Sequence, residues 1–293
     1  MKKIALSILT ALLAGALCAC SGGAASSGAA ASGSTSASAA QSTTSSASSA
    51  STSASQTADA ENPFAGKTVK VGCSATFVPF ESIEMAADGT KTYVGMNIDI
   101  VKAVVEKNGG TVEFQDMPFK SLIAAIQAGQ IDFCSGGMAP TEERQQTLDF
   151  SEVFFYPRNA IVYRDTDSYP TLDSLQGKTV AYVFGTNYQQ VAESIEGVNA
   201  VGIQGSPACI EEVKSKRADA CIIDGAGAVE YLGENSGLAM SLLDKDPNDC
   251  FAIGFPKDSP YYETFNNTLK EMMENGELDS IIASHLSEEF IAD

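Results

Sequence analysis

From Phe64 onward, apolar positions alternate between two rhythms. "KTVKVGC" (Lys67–Cys73) is a short run rich in β-branched residues and reads as a strand. "NIDIVKAVVEKNGG" sets Ile98, Val101, Val104 and Val105 on one helical face and stops at Gly109-Gly110. "TVEFQ" reads as a strand, and "FKSLIAAIQAGQ" as a helix with Leu122, Ile123 and Ile126 together. "IDFCSGG" is a strand entering a glycine turn. "PTEERQQT" opens a helix with acids in its first turn, where the helix dipole favours them. This strand–helix order predicts a parallel sheet covered by helices.

"DFSEVFFYPRNAIVYR" then runs extended through Phe154, Phe155 and Tyr156, and the rhythm restarts. "GKTVAYVFG", "NAVGI", "ADACIID", "LAMSLL" and "CFAIGFP" read as strands. "TNYQQVAESI", "SPACIEEVKSKR" and "GAGAVEYLGEN" read as helices, and two further helices close the chain. "GKTV" thus occurs twice, at Gly66–Val69 and Gly177–Val180, each time ahead of a strand. A phosphate-binding loop needs a glycine five positions earlier and a helix afterwards. Glu61 and Leu172 stand there instead, so nucleotide binding is excluded and the repeat marks the start of two α/β units. Ligands of open parallel sheets sit beyond the carboxyl ends of the strands. Two facing units would therefore hold a cleft walled by Gly136-Gly137 on one side and by Gly185 and Gly225 on the other.

The first sixty residues follow neither rhythm. Met1-Lys2-Lys3 precedes an apolar stretch, Ile4–Leu17, and then "LCAC", the pattern of an export signal. The stretch is shorter than a membrane-spanning helix needs. Residues 21–60 are almost only Ser, Ala, Gly and Thr, a composition that cannot offset the entropy of ordering and predicts a flexible tether over 20–61. About forty such residues span roughly 35 Å. The net charge of −19 argues against a nucleic-acid partner. Cys73, Cys134, Cys209, Cys221 and Cys250 include no C-x-x-C pair, and the chain has one histidine, so no metal site and no cofactor is expected. Buried thiols are the expectation, with the choice of any disulfide pair left open.

Six stretches, "FVPFE" (Phe77–Glu81), "YVGMNIDI" (Tyr93–Ile100), "MAPTEER" (Met138–Arg144), "LDFSEVFF" (Leu148–Phe155), "RADACIID" (Arg217–Asp224) and "FAIGFPKDSP" (Phe251–Pro260), occur in the order found in the bacterial extracellular solute-binding proteins, family 3, which the chain resembles over roughly residues 64–287. "LCAC" in turn resembles a bacterial lipoprotein signal. That resemblance implies removal of residues 1–19, lipid on Cys20 and attachment to the outer face of the cell membrane. The family resemblance implies an α/β fold of two lobes, each a mostly parallel sheet flanked by helices, joined by two crossing hinge strands. Residues 62–156 and 252–293 would form lobe 1, and 157–251 lobe 2. The implied function is capture of a free amino acid and its delivery to the permease of an ABC importer, by a monomer.

An amino acid needs a cation for its carboxylate and an anion for its ammonium. Arg144 offers a planar fork suited to a carboxylate, and the resemblance gives it that role. The backbone amides of Thr186 and Asn187, where a turn opens a helix, complete the clamp. By resemblance Asp224 holds the ammonium with the Gly137 carbonyl; the alternative reading is a cap of the next helix. Phe77 and Phe119 would sandwich the ligand side chain, and Thr141 would contact the carboxylate. Ala139 departs from the Ser or Thr frequent in relatives, a difference of roughly 0.5–1.5 kcal/mol if one hydrogen bond is lost. Ser74 stands where a relative selective for a charged or amide side chain carries an acid, which disfavours a strictly cationic ligand unless an acid elsewhere substitutes. His285 matches nothing functional and reads as a surface or packing residue. Two other functions fit the same fold. A cyclohexadienyl-type dehydratase would need a general acid in the cleft, and the cleft offers no Ser–His or Cys–His pair. A tethered amino-acid sensor would need a partner outside this chain.

Overall fold

The computed structural model describes residues 62–234 and 237–291. The signal segment and the tether, with Cys20, lie outside the described residues. Strand β1 (Thr68–Cys73) leads through β2 (Thr76–Phe77), β3 (Glu81–Met85) and β4 (Lys91–Val94) to helix α1 (Met96–Lys107). Next come β5 (Thr111–Asp116), a 3-10 turn at Phe119–Ser121, α2 (Leu122–Gln127), β6 (Phe133–Met138), α3 (Glu142–Gln145) and β7 (Leu148–Phe150). The second half runs β8 (Asn159–Arg164), β9 (Thr179–Val183), α4 (Asn187–Glu193), β10 (Asn199–Ile203), α5 (Ser206–Lys214), β11 (Ala220–Asp224), α6 (Gly225–Glu234) and β12 (Leu238–Leu242). The chain ends with β13 (Ala252–Pro256), α7 (Tyr262–Glu274), α8 (Glu277–His285) and α9 (Glu288–Ile291).

Two five-stranded sheets result, in the orders β5-β1-β6-β13-β7 and β10-β9-β11-β8-β12. In each, four strands point one way and a single strand, β13 or β8, runs against them. Topology explains the exception. β8 and β13 are the strands that enter a sheet from the other lobe, so they start at the cleft, where their neighbours end. Asn159, the first residue of β8, pairs with Asp224, the last of β11, and Ala252 of β13 pairs with Met138 of β6. The two crossing segments bind each other on the way: Phe154 N–H donates to the Phe251 carbonyl (3.0 Å), and Phe251 N–H to that of Phe155 (2.8 Å).

Both "GKTV" copies perform one task. Gly66 and Gly177 adopt φ of 68° and 69°. The Lys67 carbonyl then accepts from Thr111 N–H (2.9 Å), and the Lys178 carbonyl from Asn199 N–H (2.8 Å), each tying the first strand of a lobe to its neighbour. Carboxylates add a matching clamp, Asp132 on Lys70 N–H (2.7 Å) and Asp219 on Thr179 N–H (2.9 Å).

Helices α7 and α8 pack on lobe 1. Phe265, Leu269 and Met272 recur at helical spacing along α7 and are fully buried in one core with Val101, Val104 and Val105 of α1. Burying each such side chain contributes about 1.5–3 kcal/mol. His285 is a packing residue: its Nε2 lies 2.9 Å from Asp99 Oδ2 and joins α8 to α1. Two elements differ from the sequence reading. The β2–β3–β4 meander had no expected counterpart, and α3 is one turn rather than a helix through Thr147, because β7 starts at Leu148.

Candidate functional site

Strands β1, β6 and β9 end at a narrow cavity walled by residues of both lobes. Ser74, Phe77, Phe119, Gly137, Arg144, Thr186 and Asn187 line it, so seven of the ten predicted positions come together. The other three do not line this cavity. Ala139 is buried, and its contribution is its carbonyl, which accepts from Arg144 Nη1 (2.8 Å). Thr141 caps α3, its Oγ1 accepting the Arg144 N–H (3.3 Å), and borders a groove on the far side of Arg144. Asp224 lies behind the wall.

The lobe 1 wall is fixed by a residue that sequence reasoning passed over. Glu81 is fully buried, and its carboxylate accepts from Ser74 N–H (2.8 Å), Asn97 Nδ2 (3.2 Å), Ser135 Oγ and Gly136 N–H. Burial pushes its carboxyl upward, and these four donors pull it back. The network pins the ends of β1 and β6, and hence Ser74 and Gly136, at the cavity floor. The aromatic wall is equally packed. Phe77 lies 4.7 Å from the Phe80 ring and 5.7 Å from that of Phe251. Gly137 has φ of 61°, and a Cβ there would fall 2.7 Å from the Phe77 ring and 3.0 Å from that of Phe251. Only glycine lets the backbone present its polar groups so close to the rings.

Arg144 crosses the cleft. Its Nη2 donates to the Gly185 carbonyl of lobe 2 (3.0 Å), and its guanidinium lies 5.4 Å from the Phe119 ring centroid. These contacts hold a half-buried guanidinium against two carbonyls and a ring, and burial lowers its proton affinity. The "GTN" turn lines the cavity and is held by local bonds. Thr186 N–H is directed at the Val183 carbonyl (3.3 Å), and its hydroxyl donates to the same carbonyl (2.6 Å). The Asn187 side chain donates to Asp249 Oδ1 (3.3 Å).

Asp249 is the carboxylate that lines the cavity. It sits on the second crossing segment, is 6% exposed, and takes Asn159 Nδ2 (2.7 Å) as well as Asn187. Asp224 is 2% exposed and accepts Gly227 N–H (3.0 Å), capping α6. Burial, with Asp249 nearby, pushes its carboxyl up to about 7. No sequence signal marked Asp249, because its burial comes from the crossing and not from a strand or helix pattern. The five cysteines among the described residues are buried and unpaired; burial drives every one of these thiols upward, Cys134 and Cys209 to about 12, which leaves them unreactive.

The model of the bacterial extracellular solute-binding proteins, family 3, matches residues 69–288. The arginine-binding extracellular protein ArtP of Bacillus subtilis (strain 168) is 34% identical over 220 residues, 73% of this chain and 84% of that protein. A probable histidine-binding protein of Campylobacter jejuni is 26% identical, over 74% of this chain and 84% of its own length. Among solved structures, an ancestral arginine-binding protein bound to arginine superposes with a TM-score of 0.68 at 34% identity, covering 75% of this chain and 98% of that one.

Proposed function

This chain belongs to the bacterial extracellular solute-binding proteins, family 3, and we propose that it closes its two lobes on a free amino acid and presents it to the permease of an ABC importer. One observation carries the reading: a cavity walled by the strand ends of both lobes holds a guanidinium, Arg144, and a buried carboxylate, Asp249, with a second carboxylate, Asp224, behind them. A zwitterion supplies the opposite charge to each. Its carboxylate replaces carbonyls as the partner of Arg144 in charge-assisted hydrogen bonds. Its ammonium meets Asp249 and the Gly137 carbonyl, and its positive charge offsets the desolvation that holds Asp224 at about 7. Phe77 and Phe119 flank the side chain. Relatives named as arginine- and histidine-binding support the ligand class.

Closure follows from where these groups stand. Arg144 belongs to the lobe 1 wall, Asn187 to lobe 2 and Asp249 to the crossing, so one bound molecule joins all three and selects the closed arrangement. Residues 62–156 with 252–293, and 157–251, are the two bodies that would move. An amino acid at a hundred times its Kd stabilises the mature chain by about 2.7 kcal/mol. A thermal-shift panel of the common amino acids and cystine should show this response for a small subset; a flat panel would overturn the reading.

The tether and Cys20 complete the account: lipid on Cys20 holds a monomer at the outer membrane face, where roughly 35 Å of tether lets it reach a permease. Cys20→Ser should move the protein from the membrane fraction to the soluble one, and continued membrane retention would remove the anchor.

A further inference from the structure

Three glycines of lobe 2 press against lobe 1, each at or near the start of a helix. A Cβ on Gly185, ahead of α4, would fall 3.2 Å from Lys120 Cβ, and one on Gly205, ahead of α5, would fall 2.8 Å from Thr76 Oγ1. Gly227, in the first turn of α6, would place its Cβ 2.6 Å from the Val78 carbonyl oxygen. Gly185 and Gly205 both have φ of 86°, so their turns call for glycine whatever lobe 1 does. Gly227 has a helical backbone, where alanine is favoured over glycine. Among the described residues, its own helix backbone and chain neighbours aside, the atoms within 4 Å of that Cβ are the carbonyl oxygen and carbon of Val78. Nothing within lobe 2 therefore calls for glycine at this position; lobe 1 does.

We propose that Gly227 is a positioning residue for lobe closure: its bare Cα lets α6 seat on the Val78 carbonyl, and this contact sets how far the lobes close. This rests on closure around an amino acid, as read above. Neither Gly227 nor Val78 lines the cavity between the lobes, so the contact acts on the ligand only through closure. The atom met is a backbone oxygen, and no side-chain rotation makes room for a methyl group there. The lobes themselves, or the backbone at Val78, must give way. The contact also lies close to the crossing. Gly225 N–H donates to the Arg158 carbonyl (2.7 Å), just before β8, and Ala226 is buried in the same apolar cluster as Phe80 and Phe290 of lobe 1. A wedge near a pivot opens a gap that widens with distance from it, so a small displacement at Gly227 grows toward the rim of the cleft. Glycine here forgoes the helix stability that alanine would add, and closure is what it gains.

The test compares the mature wild-type chain with Gly227→Ala against the common amino acids and cystine. Thermal shift finds the amino acids that bind, calorimetry gives their affinities, and small-angle X-ray scattering gives the radius of gyration with and without them. The substitution keeps the N–H that Asp224 accepts. Without ligand, Gly227→Ala should unfold at the wild-type midpoint or above it, because alanine suits the helix. Its affinity should fall by about tenfold or more, the scale of an overpacked contact, and ligand should contract it less than the wild type. A variant that is less stable without ligand, or that does not fold, overturns the proposal, since glycine would then serve lobe 2 itself. Wild-type affinity or full contraction in Gly227→Ala overturns it too, and leaves the amino-acid reading standing. If no amino acid shifts the wild type, the amino-acid reading falls, and scattering of the two unliganded chains decides the contact: equal radii overturn it, and a larger radius for Gly227→Ala supports it.

Discussion

Each lobe carries a fully or nearly buried carboxylate at the cleft end of its sheet, and the two are satisfied differently. Glu81 in lobe 1 receives four donors, two from backbone and two from side chains. Asp224 in lobe 2 takes the backbone of α6's first turn and sits near another carboxylate, Asp249. A buried carboxylate with a full set of donors is structural; it holds strand ends in place and asks nothing of a ligand. One held up to about 7 by desolvation is short of positive charge. The difference underlies the proposed roles. Lobe 1 offers a rigid floor and the Arg144 guanidinium, proposed to take a ligand's carboxylate, and lobe 2 with the crossing segment offers buried negative charge, proposed to take its ammonium.

Removing the acceptors tests the contrast most severely. Glu81→Ala leaves several buried donors unpaired and should cost about 3–5 kcal/mol in urea unfolding, as when one partner of a buried charged network is deleted. A loss under about 1 kcal/mol, that of an ordinary substitution, would make Glu81 dispensable and dissolve the comparison. Asp224 should be felt in pH dependence instead. Its carboxyl has an ordinary value of 3.8 and is raised to about 7 in the fold. The folded chain therefore keeps a proton that the unfolded chain releases, so this contribution is complete below pH 4 and is lost as pH rises to about 7. Glu81, also raised, acts in the same direction. Asp224→Asn should flatten the decline of unliganded stability across that window by up to about 1.4 kcal/mol per pH unit. An unchanged pH profile would mean that Asp224 ionises normally and that lobe 2 is not short of charge.

Much of this architecture was legible in the sequence, for physical reasons. The helices α1 and α5 were legible because one-sided burial writes a period into them, and the strands β6, β9 and β11 because burial on both faces leaves continuous apolar runs. Arg144 and Phe77 were marked by motifs and Phe119 by its resemblance to an aromatic position of relatives, and all three line the cavity. The β2–β4 meander was not legible, because its short strands are largely half-buried or exposed and carry little apolar period. Glu81 lay inside a quoted motif but reads as an ordinary surface acid until Asn97, Ser135 and Gly136 are brought around it from elsewhere in the chain. Asp249 stands among acidic and turn residues, and only the crossing of two segments buries it. For Asp224 the structure shows the capping role that was one of its two readings; its role toward an ammonium awaits the ligand.

The central claim is that the inner cavity recognises an amino acid's carboxylate through Arg144. Its most direct test is isothermal titration of the wild-type mature chain and of Arg144→Ala with the amino acid that the thermal panel selects. Loss of a charge-assisted, partly buried contact of this kind should weaken binding by at least about a hundredfold. The unliganded unfolding transition should stay near the wild-type midpoint, because the arginine's structural partners are two carbonyls that the closed cleft can leave to water. Wild-type affinity in Arg144→Ala would contradict the account and place the ligand elsewhere.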